Sequence, residues 1–166
     1  SYYNCEKYQE TDFIKIVVKD HPLREQERQE EEKNLLEELK NILTPQDSIK
    51  AFFESKMAKN WHKFFYVIDT RQLIKQFPVF DKAYQNTADE EKNLAVEDFK
   101  KFLQELNTDE QIIGFDILET TIRKTQAIAK VVVSSKFRDM IIKREYRFGL
   151  TLKDHWYIYG YSVIQK

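Results

Sequence analysis

Residues 114–165 read GFDILETTIRKTQAIAKVVVSSKFRDMIIKREYRFGLTLKDHWYIYGYSVIQ, and this stretch decides the fold. Its apolar residues recur at every second position. Ala127, Ala129, Val131 and Val133 fall on one face, as do Met140, Ile142, Tyr146, Phe148, Leu150 and Leu152, while Lys143, Glu145, Arg147 and Thr151 point the other way. A period of two predicts antiparallel strands near 114–123, 126–136, 140–152 and 155–164, with turns at Lys124-Thr125, Phe137-Arg138-Asp139 and Lys153-Asp154. On the last strand, Tyr157, Tyr159 and Tyr161 are expected on one face, opposite Trp156 and Ile158.

Upstream the period lengthens to that of helices. Thr44-Pro45-Gln46-Asp47 is a helix start: Thr44 can cap, Pro45 suits the first turn, and Asp47 favours the orphan amides. Ile49, Phe52, Phe53 and Met57 then share a face, followed by Asn60-Trp61-His62-Lys63, an apolar run from Phe64 to Ile68, and a segment from Arg71 to Phe80 that Pro78 is expected to break. Residues 89–106 form another amphipathic helix, with Leu94, Phe99, Phe102, Leu103 and Leu106 expected inward. Before residue 44, Leu23 to Leu43 reads as a charged helix with a solvated first half. Residues 12–18 read as a short strand or apolar arm ending at Pro22. The division expected is an N-terminal arm and charged helix over 1–43 and an α+β domain over 44–166.

Composition narrows the class. Of 166 residues, 42% are hydrophobic and 33% charged, too apolar for disorder and too charged for a membrane span. The net charge of −1 divides into −6 over residues 1–113 and +5 over residues 114–166. An acidic helical layer over a basic sheet accounts for this; a basic sheet face meeting an acidic partner is the other reading. Cys5 is the single cysteine, so neither an internal disulfide nor a cysteine-based metal site can form. Residues 1–4 lack the small residue expected ahead of a lipid-modified cysteine, and no intact signal peptide is expected.

The order Thr44-Pro45-Gln46-Asp47-Ser48-Ile49-Lys50-Ala51-Phe52-Phe53, then Lys59-Asn60-Trp61 and Asp69, then helices and strands ending Leu150-Thr151-Leu152-Lys153-Asp154-His155-Trp156-Tyr157-Ile158, resembles the nuclear transport factor 2-like (cystatin-like) superfamily. It looks most like the small bacterial cell-envelope branch of unassigned function. The resemblance covers roughly residues 44–165. It departs at His155, where the family's hairpin usually has Gly, which puts the turn type in question. It implies N-terminal helices packed in a strongly bent, cone-shaped antiparallel sheet of four or more strands, dimerisation through the sheet, and a cell-envelope or periplasmic location.

Arg144 is the first candidate ligand-pocket residue, because it interrupts an apolar face between Ile142 and Tyr146, with Glu119 as its expected neutralising partner. A bulge turning Arg144 to solvent is the alternative. Trp61, His62 and Tyr66 are placed where they could close the pocket, with Asp69 on the same helical stripe. Tyr157, Tyr159 and Tyr161 are candidates for a sheet-face or dimer contact. No catalytic residue, metal or cofactor is expected: His21, His62 and His155 are dispersed, three glycines make no phosphate-cradling loop, and no serine has nucleophile-elbow context. Scattered basic residues argue against a nucleic-acid partner. The reading reached is a non-catalytic binding or accessory domain taking a small ligand or protein partner. Its alternative is an isomerase- or dehydratase-type enzyme with a pocket between the Trp61 helix and the sheet. A third reading is a membrane-tethered accessory protein with the charged helix as spacer.

Overall fold

The computed structural model describes residues 10–106 and 109–165, with side chains from residue 24 onward. Two compact units are distinguished, residues 1–40 and 41–166. In the first, helix α1 spans Glu10–Lys40. It runs through Pro22, where a strand or arm was expected to stop; proline removes one amide donor, and the helical bonds to either side persist. The expectations for residues 1–9, Cys5 included, lie outside the described residues.

The second unit sets helices before a sheet. Helix α2 (Pro45–Ala58) opens with the expected Thr44 cap, which Asp47 completes as a capping box: Asp47 N donates to Thr44 Oγ1 at 3.1 Å, and Thr44 N donates to Asp47 Oδ2 at 3.0 Å. Helices α3 (Trp61–Tyr66) and α4 (Thr70–Leu73) follow, then a 3-10 turn at Ile74–Gln76. Pro78 does not merely break the chain; it occupies the first turn of α5 (Pro78–Asn86), where its missing amide hydrogen costs nothing. Helix α6 (Lys92–Glu105) buries Val96, Phe99 and Leu103, whereas Leu94 is 66% exposed, off the stripe it was assigned to. None of the described helices is long and apolar enough to cross a membrane.

Strands β1 (Glu110–Arg123), β2 (Gln126–Phe137), β3 (Met140–Leu152) and β4 (Trp156–Val163) form one antiparallel meander in the order β1-β2-β3-β4. Lys124 and Arg138 take the left-handed backbone of the two tight turns, at φ of 56° and 58°. Ala127, Ala129, Val131, Val133, Phe148 and Leu150 are buried on the helix-facing side. Lys130, Lys136, Lys143 and Arg147 therefore stand on the other side by alternation, so the basic excess of the sheet does not lie against the helical layer.

The outer edge of β4 is closed from the helical half. Ile158 N donates to the Val67 carbonyl and Asp69 N to the Ile158 carbonyl, both at 2.8 Å. Three residues on, the Gln76 side chain mimics a neighbouring strand: its Oε1 accepts from Tyr161 N at 3.0 Å and its Nε2 donates to the Tyr161 carbonyl at 3.1 Å. At the opposite edge, β1 is interrupted by irregularities between Ile112 and Gly114 and between Ile117 and Glu119. Bulges of this kind discourage strand addition.

Candidate functional site

The helix–sheet interface is built on α2. Ile49, Phe52, Phe53 and Lys56 recur at helical spacing and face the sheet, and Ser48 Oγ ties the helix to β4 by donating to the Trp156 carbonyl at 2.7 Å. The Phe52 ring sits 4.9 Å from Phe53 and Phe64, 5.5 Å from Phe148 and 5.4 Å from Tyr161. Where this packing ends, a cavity of about 120 Å³ remains, with Phe148 and Val133 in its apolar wall and Lys56, Glu110, Ser135, Tyr146 and Tyr161 supplying polar groups. Lys56, Leu106, Glu110 and Ile112 also border an open groove of about 860 Å³, which extends to Trp61 and Ile113.

Charge in the cavity is unevenly balanced. Glu110 accepts a hydrogen bond from Arg144, and that bond raises the already high guanidinium pKa. The Lys56 ammonium has no ion pair among the described residues. Burial pulls its pKa below the ordinary value, and attraction to the Glu110 carboxylate only partly opposes this. Burial also pushes the Tyr161 phenol up to about 12, with Tyr146 adding to the shift. Because the folded chain resists protonating Lys56, the lysine costs stability below its depressed pKa, and that cost disappears as pH rises toward 10.5. Lys56→Met is therefore expected to stabilise the fold at neutral pH by on the order of 1 kcal/mol, raising the thermal midpoint by about 2–4 °C. Thermal melts of the two proteins check this.

The residues singled out in the sequence are dispersed around this site. Tyr146 lines the cavity, and Trp61 lines the groove with its ring 5.2 Å from Phe64. Arg144 stands opposite Val133 in an unbroken stretch of the β2–β3 ladder, so no bulge turns it outward, and its ion-pair partner is Glu110 rather than Glu119. Glu119 instead lies 3.8 Å from Lys130, which it opposes in the ladder. His62 is exposed on α3. Tyr66, His62 and Asp69 do not form one stripe, because α3 ends at Tyr66 and the chain turns into its bridge with β4. Tyr66 stacks on His155 at 4.0 Å, and Tyr157 stacks on the imidazole at the same distance. His155 Nε2 donates to the Tyr66 carbonyl at 2.7 Å. His155 has no positive φ, so the strain feared at a glycine position does not arise.

The tyrosine row is also broken. Gly149 pairs with Gly160 but Leu150 pairs with Ile158, leaving Tyr159 as an extra residue on β4. One inserted residue reverses the alternation. Tyr161 consequently joins Phe148 and Phe52 on the helix-facing side, whereas Tyr159 lies across Gly149, close enough that a Cβ there would collide with its ring. Lys56 and Glu110 were missed as site residues. Lys56 was legible as a charge on the 49-52-53-56 stripe; Met57, assigned to that stripe instead, is 42% exposed.

Residues 46–165 match the family model for flagellar collar protein C, C-terminal domain. The chain belongs to that family. This corrects the nuclear transport factor 2-like, cystatin-like resemblance: a Phe-rich helix face, a nearby Trp and a late aromatic hairpin are what many helix-on-sheet packings require, and those motifs do not carry a family. The matched collar C-terminal domain begins within α2 and ends after β4, so it contains every cavity residue named above. A solved structure of a SEC-C motif containing protein from Rhodopseudomonas palustris is similar at 10% identity and a TM-score of 0.46, over 74% of this chain and 80% of its own. No curated protein matches.

Proposed function

We propose that residues 44–166 are a non-catalytic interaction domain of a flagellar collar, that its partner is a protein, and that residues 1–43 serve as a charged spacer. The family match over residues 46–165 carries this reading. The shape of the site is compatible with it: the cavity of about 120 Å³ has room for a single side chain, and the open groove of about 860 Å³ beside it offers a surface for a longer segment. The location follows from the same reading, at the cell's flagellar collar. A homodimer through the sheet has less in its favour, since the β4 edge is paired and the β1 edge is bulged.

Electron cryotomography of flagellated cells whose copy of this protein lacks the 44–166 segment tests the reading. Collar density is expected to be lost or reduced beside an otherwise assembled flagellum. An unchanged collar refutes the assignment.

A further inference from the structure

Beside the cavity, apolar residues stand in water at one end of the sheet. Met57 and Ile113 are 42% and 47% exposed, and Met140, after the β2–β3 turn, is 61% exposed. The ladder brings these positions together: Glu110 opposes Phe137, which opposes Met140, and Ile112 opposes Ser135, which opposes Ile142. An apolar rim thus borders a polar well. Within the well, Lys56 faces a single described carboxylate, Glu110, which Arg144 already engages from outside the lining. The cation without an ion pair of its own among the described residues is Lys56.

We propose that this end of the domain is a docking site for an extended segment of a partner protein, anchored by one acidic side chain. The acid enters the cavity beside Lys56 while flanking apolar residues cover Met57, Ile113 and Met140. The size of the cavity suits a single side chain, and its charge selects the type. A carboxylate adds counter-charge beside the Lys56 ammonium beyond what Glu110 supplies, favouring its charged form inside a desolvated site. An amide in its place adds no such counter-charge. A basic side chain meets the Lys56 cation. The inference rests on the reading of the domain as a protein-interaction module.

Fluorescence anisotropy with the full 166-residue chain tests it. The probe is a labelled ten-residue peptide with a central glutamate flanked by isoleucine and phenylalanine, compared with its glutamine counterpart. The glutamate peptide is expected to bind at least tenfold more tightly. Lys56→Met should abolish that preference, Lys56→Arg should retain it, and Met140→Ser should weaken both peptides several-fold. Lys56→Arg guards against reading a packing defect as a lost contact. Equal affinity for the two peptides, binding of neither, or an intact preference in Lys56→Met overturns the proposal. A tagged wild-type chain that localises to the collar yet ignores the glutamate overturns the anchor alone; one absent from the collar overturns the underlying reading.

Discussion

Phe52→Ala is expected to cost about 3–5 kcal/mol of folding free energy, the range for removing a fully packed aromatic. Phe52 is 2% exposed, and its ring touches α2's own Phe53, α3's Phe64, β3's Phe148 and β4's Tyr161. It therefore joins the helical layer to two strands, and truncation opens a void that no single neighbour can fill. Met57→Ala, one turn later on the exposed side of α2, should change stability by about 0.5 kcal/mol or less. Urea denaturation of both variants measures the contrast. Equal and small losses would mean that Phe52 does not hold the layers together.

Alkaline solution is expected to destabilise the fold between about pH 10 and 12, and Tyr161 to account for up to about 2–3 kcal/mol of the loss. The sign follows from proton occupancy. An unfolded tyrosine releases its proton near 10, whereas the folded Tyr161 holds its own up to about 12, because burial disfavours the phenolate. In that window the unfolded chain binds fewer protons, so stability falls as pH rises. Tyr157 is also pushed up to about 12, by burial and then by the Asp154 carboxylate, but it is more exposed and solvent screening reduces its share. Lys56 acts in the opposite direction, and its effect is complete near its ordinary value of 10.5. Denaturation midpoints of wild type and Tyr161→Phe from pH 9 to 12 should diverge progressively. Parallel curves would show that the phenol is solvated in the fold.

The legible parts of this chain are those governed by near neighbours. The turns at Lys124 and Arg138 were placed by the break in alternation, and the start of α2 by the Thr44 cap with Pro45 and Asp47 just behind it. The site was less legible because its members are distant in sequence. Lys56 comes from α2, Glu110 from the first residue of β1, and Tyr146 and Tyr161 from two later strands. Arg144 was recognisable as a charge on an apolar face, but its expected partner Glu119 opposes Lys130 on the other face of the sheet, and the ion pair forms with Glu110 instead.

The sequence by itself determined an α+β chain, with helices first and a four-stranded antiparallel meander last, since hydrophobic period and turn chemistry are local. Tertiary structure alone decided which face each strand residue occupies beyond a bulge. One extra residue at Tyr159 turned Tyr161 into the helix–sheet interface and removed it from the row it was expected to share with Tyr157 and Tyr159. Alternation carries no record of an insertion until the partner strand shows where pairing slips.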